Sequence, residues 1–340
     1  MLLKNFIVPA LMSINGALSQ EIKIDTVRDG LLSPNIGQLT VDKGVFYSII
    51  NNAITGFLGS LDIEGSFYIT SSNDLLGLTI GLAGISNSIL NNGVIVFNSA
   101  GSTLPPSYTL VGSSFTNNGE VYFGGDGSVG VPIMSITSTA WINRGLLVFS
   151  QKSRSTGVVT LGAPAGSITN QGQICLNNQV YQQTSAVVGT GCITAGHDSS
   201  VFIATSALQF AETQTIYLEE NDSSLRVEAL STPQTFTVAN FGNRNKIGLD
   251  IPLVSLTSDS PWDYDTATGI LTLKGADLLS QKFNIGLGYD KSLFEVTTDT
   301  GVGLLSVPNG AIQYNAPAPK SGLPSACKAC KTIPVAPTHV

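Results

Sequence analysis

Short runs of alternating apolar and polar residues, each introduced by a polar turn, fill most of the chain. Phe115–Phe123, reading FTNNGEVYF, is representative. An Asn-Asn-Gly turn leads into a strand that carries Val121 and Phe123 on one face, since side chains two apart share a side. The pattern returns as LNNGVIVF at Leu90–Phe97, WINRGLLVF at Trp141–Phe149 and ITNQGQICL at Ile168–Leu176. The glycines of these copies, Gly93, Gly119, Gly145 and Gly172, follow one another at intervals of 26, 26 and 27 residues. Weaker copies surround Gly44 (Leu39 to Tyr47), Gly65 (Leu61 to Ile69) and Gly191 (Val188 to Thr194). A fixed period in this range marks an array in which each unit stacks on the next.

Stacking assigns a task to each position of the copy. Phe46, Phe67, Ile95, Val121, Leu147, Ile174 and Ile193 stand two places after the glycine; Ile69, Phe97, Phe123, Phe149 and Leu176 stand four places after it. These are predicted to form two inward apolar columns. Asn91, Asn117, Asn143 and Asn170 stand two places before it and are predicted to form a ladder of bonded amides. The glycine is expected to supply positive φ at the corner. Further apolar stretches (Gly77–Leu82, Pro132–Ile136, Gly157–Leu161) give each period two or three strands. The predicted architecture is all-β: a right-handed parallel β-helix over 20–200, about 30 Å long for seven copies at ~4.8 Å. The competing fold is a propeller or sandwich of hairpins, but 26 residues is short for a blade of ~40. The odd positions beside the columns (Val94, Val96, Tyr122, Leu146, Val148) are also apolar, so something is expected to cover the outer face.

From Val201 the period disappears while short alternating strands continue, among them Thr215–Leu218, Ser224–Glu228, Thr235–Val238, Gly269–Leu273, Lys282–Ile285 and Leu293–Val296. Spacings near ten residues predict a compact β-sandwich over 201–316. Residues 317–340, with Pro317, Pro319, Pro324, Pro334 and Pro337, read as an extended linker towards a further segment.

Only 11% of the 340 residues are charged and the net charge is −7. Without a Lys/Arg cluster, nucleic acid is excluded as a partner. Lys4, the apolar run Phe6–Met12 and the small residues Ala17–Ser19 read as a secretory signal peptide over 1–19, cleaved before Gln20. Export predicts disulfides for Cys175, Cys192, Cys327 and Cys330, in any of three connectivities, rather than zinc at Cys327 and Cys330. Asn221-Asp-Ser223 is a glycosylation sequon.

Several stretches resemble the amino-terminal region of the hyphally regulated cell-wall protein family of yeasts: Gly112–Glu120, Ile168–Leu176, Gly189–Thr194, Phe236–Leu249 and the pair Cys327 and Cys330. The resemblance covers nearly the whole chain. It implies a β-helix followed by a crystallin-like β-sandwich, on a secreted, glycophosphatidylinositol-anchored wall protein with a Ser/Thr-rich stalk. It also implies a part in adhesion, and lends no catalytic residue.

Candidate chemistry is sparse. With no second histidine in the folded part, a Ser-His-Asp mechanism would rest wholly on His197, which reads as a turn residue. Gly124–Gly130 lacks the ending of a phosphate loop and the ligand spacing of a calcium loop. Carboxylates suited to a polysaccharide-active enzyme, the rival reading, occur as Asp259, Asp263 and Asp265 and as Glu219 with Glu220. With what the resemblance implies, the expected function is a non-enzymatic adhesin head without metal or cofactor, a purely structural wall component being the further alternative. Its partners would be host-cell or abiotic surfaces, other cells or wall glycans, with membrane contact only through the implied lipid anchor, and the head itself a monomer. The binding loops are expected at Ser102 to Ser107 (Ser102, Thr103, Pro105, Pro106) and Gly124 to Gly130 (Gly124, Asp126, Gly130). For the cysteines the reading favours bridges from tail to rod, with 175–192 plus 327–330 as the alternative.

Overall fold

A computed structural model describes residues 18–30, 35–255, 260–301 and 304–340. The chain coils. Each turn lays down three short strands, and equivalent strands of successive turns pair in parallel; with the antiparallel strands added at the far end, the described residues form sheets of 8, 13 and 12 strands. The first sheet takes the strands that precede the repeat glycine, such as Ser114–Asn117 and Ala140–Asn143. The second takes those that follow it, such as Glu120–Gly125 and Leu146–Gln151. The intervening apolar stretches build the third, with Ile133–Ile136 and Val158–Leu161 among its members. This is a parallel β-solenoid, and its neighbours are successive turns rather than hairpins.

Both apolar columns exist. Phe67, Ile95, Val121, Leu147, Ile174 and Ile193 pair in line, as do Ile69, Phe97, Phe123, Phe149 and Leu176. All are buried. Phe97 and Phe123 stack with ring centroids 5.2 Å apart, and Phe149 meets Phe123 edge-on at 5.5 Å. One expected member is displaced. Tyr47, not Phe46, pairs with Phe67, while Phe46 pairs with Ser66 and lies half-buried outside. The turn there is one residue longer, with Gly44 at φ +82°.

The asparagine ladder is complete and buried. Asn91 donates to Asn117 (2.7 Å), Asn117 to Asn143 (2.8 Å) and Asn143 to Asn170 (2.9 Å). Gln214 replaces the asparagine in the next place, accepting from Asn170 at 3.0 Å. The glycines beside the ladder are needed for a different reason from the one expected. Gly93, Gly119, Gly145 and Gly172 are absent from the positive-φ residues. A Cβ on Gly145 would instead lie 1.9 Å from the Gly119 carbonyl oxygen, and one on Gly119 would lie 2.0 Å from that of Gly93. Close approach of stacked corners, not backbone conformation, excludes a side chain.

The rod does not stop at residue 200. Thr215–Leu218 and Ser224–Val227 pair in parallel with Cys192–Ala195 and Ser200–Ile203, and Thr235–Ala239 and Lys246–Leu249 add another turn. The strands expected to open a sandwich at Val201 thus belong to the solenoid. The repeat fades there because its first strand does: in the turn after Ala186–Val188 the first sheet is reduced to a bridge between Val187 and Phe210. Later the pairing becomes antiparallel. Ser280–Asn284 still joins the second sheet in parallel with Thr235–Ala239, and Ile270–Lys274 and Trp262–Asp265 follow it antiparallel; Val307–Tyr314 and Phe294–Asp299 extend the third sheet antiparallel. The rings of Tyr264, Tyr289, Phe294 and Tyr314 close the core between them, with centroids 4.8 to 5.8 Å apart. One continuous apolar core runs from Ile36 to Tyr314.

Candidate functional site

Tyr68, Val96, Tyr122, Val148 and Cys175 face outward from the second sheet, opposite in phase to the columns, yet all are buried. Their cover is the tail. Cys330, Ile333 and Ala336 pack on this face, and Cys327 joins Cys192, Tyr217 and Ala239. Residues 317–340 therefore form an extended strap on the rod rather than a free linker. Two disulfides fix it, Cys175–Cys330 and Cys192–Cys327, with Cα atoms 5.9 and 5.0 Å apart. The Lys328 amide donates to Gln173 Oε1 at 2.8 Å, and Lys331 forms an ion pair with Glu120. Burial would raise the Glu120 carboxyl, but bonds from Lys331 and the Tyr122 hydroxyl outweigh it and hold the group below its ordinary value.

The strap has a direction. Ala316 and Ala318 lie against Gly242 near the antiparallel end. Cys327 is bonded in the turn of Cys192 and Cys330 one turn earlier; Lys331 and Ile333 reach Glu120 and Gly124 a further two turns back. It runs against the coiling, towards the first turns.

The loops expected to bind are only partly available. Ser102 and Pro106 are buried, and Ser102 Oγ accepts the Leu104 amide at 3.2 Å. Thr103 is exposed, although its Oγ1 donates to the Asp74 carbonyl. The two loops pack on each other through Pro105 and Gly130, where an added Cβ would fall 2.7 Å from the proline Cγ. Asp126 pairs with Lys152 at 3.6 Å. Gly124 is not a loop residue: it is buried within Glu120–Gly125, facing Ile333 of the strap.

A cleft of about 430 Å³ that no motif announced lies at the junction of the last turns with the antiparallel strands. Its floor is set by a buried ion pair, Arg226 Nε to Asp299 Oδ2 at 2.6 Å, with both side chains under 5% exposed. Arg226 also donates to the Leu305 carbonyl. On one wall Asp198 pairs with the buried Arg154 at 3.1 Å. Asp222 accepts the Asp198 amide at 2.9 Å and meets His197 Nδ1 at 2.7 Å. That contact explains His197, which sits exposed at the rim. Arg244 and Lys246, in the turn after that of Asn221, Asp222 and Ser224, continue this lining, and Thr297, Thr300 and Gln313 of the antiparallel strands complete it. The Ser223 hydroxyl is buried, donating to the carbonyls of Ala195 and Gly196.

The other carboxylates do not converge on a reacting centre. Asp263 is exposed and paired with Lys291 at 3.2 Å; Asp265 accepts from Thr268 in its own turn. Asp259 lies outside the described residues. Glu219 borders the strap near Cys330, where burial and then Glu220 raise its pKa. Among the described residues no three His, Cys, Asp or Glu side chains group to hold a metal ion.

Residues 10–337 match the family described as "Hyphally regulated cell wall protein N-terminal". The chain is 46% identical over 339 residues to "Hyphally regulated cell wall protein 3" of Candida albicans, covering 99% of this chain and 27% of that protein. It is 43% identical over 343 residues to "Cell wall protein IFF6" (99% and 31%) and 45% identical over 327 residues to "Cell wall protein RBR3" (95% and 21%), both from the same organism. The chain spans less than a third of the length of each of these relatives.

Proposed function

The chain belongs to the hyphally regulated cell wall protein N-terminal family, and from that premise we propose that it is the non-enzymatic head of a secreted wall protein and serves as an adhesin. The observation that carries this reading is the direction of the strap. The relatives named above are more than three times the length they share with this chain; were this protein built alike, the further chain would follow the strap, which runs towards the first turns. The antiparallel end with its open cleft would then face away from the wall. Two disulfides would pass a pull on the following chain into the side of the rod at the turns of Cys175 and Cys192, without loading the final strands. A rigid solenoid loses little entropy on contact, and many copies on one wall would add avidity. Cleavage before Gln20 would fit the first strand, Gln20–Ile22, whose pairing with Leu39–Val41 starts at that residue. A sugar at Asn221, a Ser/Thr-rich stalk and a lipid anchor complete the proposal.

The test couples the chain to beads through its C-terminus and measures retention under flow on epithelial monolayers, polystyrene and yeast cells. Retention above that of beads carrying an inert protein on at least one surface is expected, with no sugar released from wall polysaccharides. Retention no greater than that of the inert beads on all three surfaces would leave a structural wall component; released sugar would revive the enzyme reading.

A further inference from the structure

We propose that the cleft at the antiparallel end binds a short, neutral, hydroxyl-rich oligosaccharide, with Arg244 as its principal donor. The inference deepens the proposed function and rests on it for the direction in which the cleft faces. The volume of about 430 Å³ lies within the ~300–1,000 Å³ of small-ligand sites. The lining mixes groups that only accept (Asp198, Asp222), groups that only donate (Arg244, Lys246) and groups that do both (Thr300, Gln313). An anion would meet the carboxylates, a cation would meet Arg244 and Lys246, and an apolar ligand would strip water from all of them. A sugar hydroxyl donates and accepts at once, so it can bridge a carboxylate and a cation of this lining. Recognition would be edge-on, through hydrogen bonds, because among the described residues no aromatic ring lines the cleft.

Preorganisation supports the assignment. Arg226 and Asp299 lock the floor, and Arg154 holds the Asp198 wall through the Asp198 carbonyl, the Asp198 carboxylate and the Ser200 hydroxyl. Arg244 carries the clearest sign. It has φ +72°, next to Asn243 at +51°, a backbone region that a long side chain seldom adopts. Its amide is held there by the Tyr314 carbonyl at 3.0 Å. A residue kept in a costly conformation, with an exposed guanidinium at the mouth of a polar cleft, fits a role in binding better than one in folding. Glycine would adopt this conformation freely. Folding alone thus favours Gly at 244, whereas binding requires Arg.

The experiment probes an array of neutral and acidic oligosaccharides with the chain stripped of N-glycan, alongside Arg244→Gly and Arg244→Ala. Neutral oligosaccharides are expected to bind, with at least a tenfold weaker Kd for Arg244→Gly and a thermal midpoint equal to or above that of the parent. Binding of acidic sugars alone, no binding, or neutral binding unchanged in Arg244→Gly each overturns the inference. Bead retention separates this from the broader reading. Beads that adhere regardless of Arg244, with a silent array, leave the adhesin standing and remove the cleft. Beads that never adhere, with Arg244-dependent array binding, do the reverse.

Discussion

Asn117 and Asn143 lie one full turn apart on the rod, and the amide of the first donates to the carbonyl oxygen of the second at 2.8 Å. Neither side chain is exposed to solvent. Asn143 also donates to Asn170, so Asn117 and Asn143 are each both donor and acceptor to their ladder neighbours. Asn143→Leu keeps much of the volume but leaves an Asn117 N–H and the Asn170 oxygen without partners. At ~1–3 kcal/mol for each buried unsatisfied group, a loss of about 3 kcal/mol is expected. Urea unfolding would record it as a lower midpoint at constant slope; an unchanged midpoint would mean that the ladder adds no stability.

Gly119 and Gly145 allow the two explanations of a repeat glycine to be separated. Were positive φ the requirement, Asn would substitute nearly as well as Gly, since Asn enters the left-handed region readily. With the Gly119 oxygen 1.9 Å from where a Cβ on Gly145 would stand, any side chain forces the stacked corners apart. Gly145→Asn and Gly145→Ala are therefore both expected to destabilise severely. Gly44→Asn should cost little, because Gly44 has φ +82° and open space around its Cβ position. Thermal melts of the three variants give the comparison, and a tolerated Gly145→Asn would restore the conformational account.

How far the sequence could be read follows from what each feature repeats. The columns through Ile95 and Phe97 and the ladder were legible because strand alternation and a fixed interval place chemically similar residues in line. The slip at Phe46 was not, because one extra turn residue after Gly44 changes the phase without changing the pattern. The continuation past Val201 was hidden for a related reason: the motif spans the first two strands, and it vanished when the first shrank to the bridge at Phe210 although the coil went on. Apolar outward residues such as Val96 and Tyr122 signalled a cover without saying which segment supplied it. The cleft was not legible, because Asp198, Asp222 and Arg244 share one corner of successive turns only where the repeat motif has already lapsed, and Thr297, Thr300 and Gln313 join them through the antiparallel return.

The ion pair of Lys331 with Glu120 predicts a pH dependence of strap docking. The folded-state pKa of Glu120 is depressed, the bonds from Lys331 and Tyr122 exceeding the effect of burial. The folded protein then gives up this proton more readily than the unfolded chain. The contribution is present above the ordinary value of 4.5 and is lost as pH falls through the depressed one. Glu219, raised by burial and by Glu220, works in the opposite sense, so the pH profile of the whole protein mixes the two. The difference between parent and Lys331→Met isolates Glu120. Unfolding midpoints should differ at neutral pH and converge once the pH has fallen below the depressed value; a difference that grows on acidification would contradict the assignment.

The two disulfides should prove unequal to the sum of their separate removals. Cys192 and Cys327 are 135 residues apart, and closing such a loop in the unfolded chain is worth roughly 5 kcal/mol in the chain-entropy description. Once that bridge exists, Cys175–Cys330 closes a much smaller ring, made of the segment from 175 to 192 and the segment from 327 to 330, worth about 3 kcal/mol. The argument is symmetrical, because either bridge alone still closes a loop well over a hundred residues long. Cys330→Ser with Cys175→Ser, or Cys327→Ser with Cys192→Ser, should therefore each cost about 3 kcal/mol, while removing all four sulfurs should cost nearer 8 kcal/mol. The apolar face under Ile333 would act in the same sense, since a strap with neither bridge can lift from Tyr68, Val96 and Tyr122 and expose them. Guanidinium unfolding of the three variants, with binding of a hydrophobic dye to detect the bared face, tests both parts. Dye binding already present in either single-bridge variant would show that one bridge is too little to hold the strap down.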